Sequence, residues 1–295
     1  AKRADADLAF GLGQTRTPPG RVRLDPVTDD RPFFNQRVAF SDLRPEDFAR
    51  AFGAEDRARM ALEDTPFAET SAVIVLVEVL AIGALAILLP FAFGRADARS
   101  VGPGHGPVAA HLVFYPALGL GFMMVEIALV QKLGLLSGSP TRTLATVLGG
   151  LLLGAGAGAR LAGWVARGTR AILAVAVVIG ALGAWWLTAD AFLGVAAQPL
   201  AVRLAVAATF AFAVGVALGM PFPLGLAQSG RLGTRWAAWG FALNAVASVG
   251  ATVLALMLAT EVGFGGVLLT AAFCYACAAA AYGRLAPNHA GARLG

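Results

Sequence analysis

Cysteine, histidine and tyrosine are nearly absent from this chain: two, three and three residues in 295. Cys274 and Cys277 form a CxxC, but it lies inside the apolar stretch AAFCYACAAA, with no polar turn and no second ligand pair. Both therefore read as small packing residues, not as a metal or redox pair. His105, His111 and His289 stand at no metal-ligand spacing from one another or from an acid. No Ser/His/Asp or Cys/His arrangement is visible. Gly11-Leu12-Gly13 follows no apolar strand and opens no helix with a further glycine, which excludes a nucleotide loop. Basic residues form no clustered face with interleaved aromatics, so nucleic acid is excluded as a partner. Charge is scarce, at 14% of residues, and period-two alternation is missing, which rules out a transmembrane β-barrel.

What the chain has in abundance is uninterrupted apolar sequence, with 58% hydrophobic residues. Charges and turn residues fence seven runs: about Thr70–Phe93, Val108–Gln131, Thr143–Gly158, Ala171–Thr188, and the charge-free intervals Arg203–Arg231, Arg235–Glu261 and Glu261–Arg284. A helix needs roughly 20 residues to cross a bilayer, and in hydrocarbon only helices or closed barrels satisfy the backbone. The expectation is an all-α polytopic bundle of about seven spans over 70–284. It is preceded by a polar head at 1–69 and followed by a short polar tail at 285–295. The third run is short and spans only if part of Leu161–Val165 is added.

The head holds 11 of the 23 Lys and Arg residues and 13 of the 18 acids. It reads as short irregular pieces lying along the membrane, with one helix capped by Ser41 or Asp42 and another over Glu55–Leu62. Its first stretch is polar and has no signal-peptide core, so a processed terminus or the tail of a longer polypeptide is expected. Seven alternating spans place Lys132, Arg142, Asp190, Arg203 and Glu261 on the side of the head, for a net charge of +1. The opposite side collects Arg95, Asp97, Arg99, Arg160, Arg167, Arg170, Arg231, Arg235, Arg284 and Arg293, for a net charge of +8. The positive-inside rule then puts the C-terminus in the cytoplasm of a bacterial inner membrane and the head outside.

Two carboxylates interrupt the apolar runs. Glu78 lies near the middle of the first and is expected to face the bundle, because a charge in hydrocarbon needs a partner. Glu126 lies near the end of the second, followed by Gln131 and Lys132. It serves either as a proton or cation site or as a polar anchor hydrogen-bonded to a neighbouring helix. Gly149, Gly150, Gly154, Gly156 and Gly158 offer a groove on the third run. Gly215 and Gly219 give a small-xxx-small pair on the fifth. In Gly219-Met220-Pro221-Phe222-Pro223-Leu224-Gly225, Pro221 and Pro223 either break a helix beside a site or simply end it. Asn244 and Ser248, four apart, are expected to bridge helices.

Five segments in order resemble bacterial membrane-embedded spermidine synthase-like proteins. They are Thr28-Asp29-Asp30-Arg31-Pro32-Phe33-Phe34, the stretch LGLGFMMVEIALVQ ending at Gln131, Gly138-Ser139-Pro140-Thr141, GMPFPLGL from Gly219, and Ala238-Trp239-Gly240 through Asn244 to Gly250. In that family a Rossmann-type, S-adenosylmethionine-dependent domain precedes a multi-helix membrane domain. The resemblance implies that Asp29, Asp30 and Arg31 mark the junction just after that domain, and that the chain is the membrane half. The family's cofactor loop and catalytic acids would lie before Ala1, so no cofactor site and no catalytic residue is carried onto this chain. The leading expectation is an anchor or scaffold for a soluble transferase domain. One alternative is a non-catalytic subunit of a membrane complex, with other membrane subunits as partners besides the lipid bilayer. The other is a proton or small-solute carrier using Glu78 and Glu126.

Overall fold

The computed structural model describes residue 30 and residues 38–52, 66–93, 106–165, 167–188 and 193–285. Among them every regular element is helical. After a single 3-10 turn at Phe40–Asp42 come α1 (Pro45–Phe52), α2 (Phe67–Phe93), α3 (Gly106–Ser137), α4 (Pro140–Ala162), α5 (Gly168–Thr188), α6 (Leu193–Ala196), α7 (Leu200–Gly219), α8 (Pro221–Gly230) and α9 (Thr234–Tyr282). The expected helix at Glu55–Leu62 lies outside the described residues.

Six of these stretches are long and apolar enough to cross a membrane. The last one counts twice. At about 1.5 Å per residue, the 49 residues of α9 would otherwise reach about twice the thickness of a bilayer core. Instead the helix folds back at Gly263 (φ 75°, ψ 171°). Tyr115 on α3 packs against Gly240 of the first arm, while its neighbour Phe114 lies 6.0 Å, ring to ring, from Tyr282 at the end of the second. Residues 42 positions apart in α9 thus meet the same turn of α3, which only a hairpin permits. Its arms, 234–262 and 264–282, bring the total to the expected seven spans.

The backbone at Gly263 lies in a region open essentially to glycine alone. Gly263→Ala is expected to lower stability by about 1–3 kcal/mol, read as a fall in the thermal midpoint of the purified protein, whereas Gly283→Ala, with φ −65° and nothing near its missing Cβ, should be neutral.

α3 is the centre of the bundle. It is the most buried of the spans, whereas α2 is the most exposed. Phe114, Tyr115, Val125, Ala128, Leu129 and Leu133 are fully inside, packed between both arms of α9 and the helices beside them. α4 is longer than the short third run predicted, because Pro140 opens it at the first helical position and the helix continues through the glycines to Ala162. Gly138 (φ 63°) makes the preceding turn, its N–H bonded to the carbonyl of Gly134. α4 and α7 run in the same direction and touch through small residues. Cβ atoms at Gly154 and Gly158 would strike the backbone of Phe212 and Val216, and those at Gly215 and Gly219 the backbone of Leu151 and Ala155.

Large apolar side chains cover the outside: Ile82, Leu152, Leu153, Val177 and Phe273 are all at least 65% exposed. So much exposed apolar surface is compatible with hydrocarbon, not with water. Exposed Trp164 and Trp185 lie at opposite ends of the bundle, at levels suited to two interfaces. The chain is a multi-pass membrane protein. One end of the bundle carries the head, the 137–140 turn and the hairpin apex. The other carries Arg160, Arg167, Arg170, Arg231, Arg235 and Arg284.

Candidate functional site

The hairpin apex needs polar partners, because a helix start leaves its first N–H groups without intrahelical acceptors. Residue 30 supplies them from 235 positions before Gly265. The carbonyl of Asp30 accepts the N–H of Phe264 at 3.1 Å, and its Oδ1 accepts the N–H of Gly265 at 3.1 Å. The same Oδ1 receives Lys132 Nζ at 2.9 Å, and this ammonium also sits 5.8 Å from the ring centre of Trp186. Asp30 therefore caps the second arm as a carboxylate at a helix N-terminus, where the local dipole favours negative charge. Lys132 neutralises it from α3. Side-chain exposures of 11% for Lys132 and 21% for Asp30 make this a mostly desolvated pair.

Two further acids hold the backbone of the head nearby. Glu261, at the end of the first arm, accepts the N–H of Phe40 at 3.1 Å, and Glu69, on the first turn of α2, accepts the N–H of Val38 at 3.2 Å. Val38 itself is buried. Asp30, Glu69 and Glu261 thus fasten head to bundle at three places. Each acts as a hydrogen-bond acceptor, and the described residues contain no cluster of three or more potential metal ligands. The arrangement holds head to bundle.

A second polar cluster lies at the arginine-rich end. Ser229, at the C-terminal end of α8, meets His111 Nε2 at 2.8 Å and the Tyr115 hydroxyl at 2.7 Å, and Trp236 lies 4.5 Å, ring to ring, from His111. Ser229, His111 and Tyr115 are each no more than 1% exposed. Their hydroxyls and ring nitrogen satisfy one another, so the cluster clasps α3, α8 and the start of α9. The sequence reading missed it because 114 and 118 residues separate Ser229 from its partners. The one available signal was His111 and Tyr115 four apart on a single face of an apolar helix.

Several sequence expectations meet different outcomes. Glu78 does not face the bundle: it is exposed on the outer side of α2, and among the described residues it makes no hydrogen bond or ion pair. The reason is angular. Gly83 is buried against Val246, and five residues of helix turn Glu78 about 140° away from it. Glu126 is half-buried on α3, likewise without a hydrogen bond or ion pair among the described residues. Lys132, six positions on, pairs with Asp30. Gln131 is exposed.

Ser248 does not bridge helices: its hydroxyl donates to the carbonyl of Asn244 in its own helix at 2.8 Å. What crosses at this level is Gly119 of α3, packed against Asn244 and Ser248. Pro140 opens α4. Pro221 and Pro223 open α8 after Met220, which keeps helical angles (φ −77°, ψ −41°), so the chain bends without unwinding. Prolines in a first turn remove N–H groups that have no acceptor there. Asp29 and Arg31 lie outside the described residues, as do His105 and His289. Cys274 and Cys277 are free and half-buried in the second arm. Compared with family models, curated proteins and solved structures, the chain matches none.

Proposed function

We propose that this chain is the membrane module of a spermidine synthase-like protein, anchoring at the bilayer surface a soluble domain joined through the head. The observation that carries this reading is the docking of Asp30, within the junction-like segment Thr28–Phe34, onto Lys132 and the hairpin apex. A connector tied to two spans transmits position; a loose tether would not. S-adenosylmethionine chemistry belongs, in this proposal, to the attached domain. The carrier reading loses its support because Glu78 points outward, away from Glu126 on the central helix.

In native bacterial inner membranes, an antibody against the head is expected to detect a polypeptide larger than the 30.2 kDa of this chain. Limited proteolysis should trim it to a membrane-retained core of about that size. A native species of 30.2 kDa would overturn the anchor reading and leave the accessory-subunit reading in its place. Orientation is measured separately. The arginine-rich end favours a cytoplasmic C-terminus, whereas an S-adenosylmethionine-dependent domain on the head requires the head there. Fusions decide between them: a fluorescent green fluorescent protein after Leu285 with active alkaline phosphatase on the head would favour the accessory-subunit reading. The reverse result would place the head in the cytoplasm, the side that supplies S-adenosylmethionine.

A further inference from the structure

Three helix ends meet at one phenol on the arginine-rich side. Tyr282 closes α9, and its ring lies directly over Gly168, the first residue of α5, where a Cβ would strike it. The Tyr282 Oη accepts Gln228 Nε2 of α8 at 3.3 Å, and Gln228 Oε1 in turn accepts Nη1 of Arg231 at 3.2 Å. Each of these ends carries arginine. Arg167 and Arg170 stand on either side of Gly168, Arg231 follows α8, and Arg284 follows α9. All four are exposed, and none has a carboxylate partner among the described residues. The described acids lie at the head end or, as Glu78 and Glu126, within the spans. The hydroxyl hydrogen of Tyr282 likewise has no acceptor among the described residues. Four cations and a spare O–H donor gather at a point that supplies no anion.

The surface beneath decides what fits them. α5 leaves this point with Arg170, Leu173 and Val177 exposed along one helix face, so a guanidinium stands at the top of an apolar stripe. Exposed Trp164, in the turn before α5, marks the level of the lipid headgroups. A free phosphate or an acidic peptide would use the cations and leave the stripe bare; a phospholipid uses both. We propose that the Tyr282 cluster binds the headgroup of an anionic phospholipid, whose acyl chains lie along Leu173 and Val177. Guanidinium forks match phosphate oxygens two to two, and the phenol donates to a further oxygen. A zwitterionic lipid would bring a cation of its own among four guanidinium groups, so the net charge of the headgroup matters. Gln228 holds Arg231 in place and Gly168 admits the phenol, which makes this a preset site and not a diffuse attraction to a positive end.

The test titrates the purified full chain in mild detergent with dioleoyl phosphatidylglycerol and counts bound lipid by native mass spectrometry. One lipid is expected to bind about tenfold more tightly than dioleoyl phosphatidylcholine. Arg170→Gln or Arg284→Gln should weaken it about fivefold, and the two together about twentyfold. Arg160→Gln loses the same charge from a residue not tied to Tyr282 and should leave the affinity unchanged. Tyr282→Phe keeps the ring over Gly168 without its O–H and should weaken binding about threefold. The substituted arginines are exposed, so each variant should elute as folded protein. Three results would overturn the proposal: equal affinity for the two lipids, the same loss from Arg160→Gln as from Arg170→Gln, or release of the bound lipid by inorganic phosphate at equal concentration, which would mark a site for a free anion. None of these depends on the head being joined to a transferase domain.

Discussion

Leucine at Gly154 or Gly158 is expected to remove most folded protein from the membrane, whereas leucine at Gly149 or Gly156 should leave it unchanged. All four glycines lie on α4 within ten residues, so hydropathy and helix propensity change alike at each. What differs is the space. A Cβ at Gly154 or Gly158 collides with the carbonyl oxygens of Phe212 or Val216, which are backbone atoms and cannot rotate away. At Gly149 and Gly156 nothing lies within 4 Å. Overpacking a well-fitted core costs about 1–3 kcal/mol. Here the obstacle is backbone and leucine adds three carbons beyond Cβ, so about 3 kcal/mol or more is expected, separating α4 from α7. In bilayers this contact has no hydrophobic drive behind it; close packing of small residues supplies the attraction. The measurement is the fraction of monodisperse protein in mild detergent together with its thermal midpoint, which should fall by about 6–12 °C for Gly154→Leu. Equal losses at Gly149 and Gly154 would show that the two helices do not meet along this stripe.

That contact shows what the sequence exposed and what it hid. The seven spans were legible because each apolar run is bounded by charge, and the glycine spacings on α4 and α7 named the faces that meet. The partner of each face was not legible, since any small-residue stripe fits any other. The same limit governs the acids. The cost of a charge in lipid turns Glu78 inward on paper, but α2 meets the bundle along an edge that holds Glu69, Thr70 and Gly83, and hydropathy does not show how narrow that edge is. Asp30 stands in a motif whose spacing leaves its role open, because the N–H donors it serves, those of Phe264 and Gly265, are exposed only once Gly263 has folded α9 back. Lys132 follows Glu126 by six residues in sequence, but its partner, Asp30, comes from the head. Local spacing names faces and ends; long-range pairings such as residue 30 with 265, or 111 with 229, appear only after chain reversal.

The Asp30–Lys132 pair yields the second large effect, and a double-mutant cycle isolates it. Asp30→Ala removes the acceptor for both Lys132 Nζ and the N–H of Gly265, leaving an ammonium that is only 11% exposed without its counter-charge. Breaking a buried pair typically costs about 3–5 kcal/mol. About a fifth of Asp30 is still open to solvent (21%), so screening lowers the expectation to about 2–3 kcal/mol. Asp30→Asn should cost less, because an amide oxygen still accepts from Gly265. Lys132→Met should cost least: it keeps an apolar side chain of similar reach over Trp186 and leaves the Asp30 carboxylate at the start of a helix, where it remains favoured. Combining Asp30→Asn with Lys132→Met should then be milder than the sum of the two by about 1–2 kcal/mol. Thermal midpoints give the four corners of the cycle. Proteolysis gives the structural readout: residues 38–52 should become cleavable in Asp30→Ala at protease doses that spare them in the parent, while α3 to α9 stay intact. Strict additivity would mean that the charge pair adds nothing beyond the cap on Gly265. Unchanged protease resistance of the head would mean that Glu69 and Glu261 suffice to hold it. Between these outcomes the cycle separates two jobs of one carboxylate, neutralising Lys132 and starting the second arm of the hairpin.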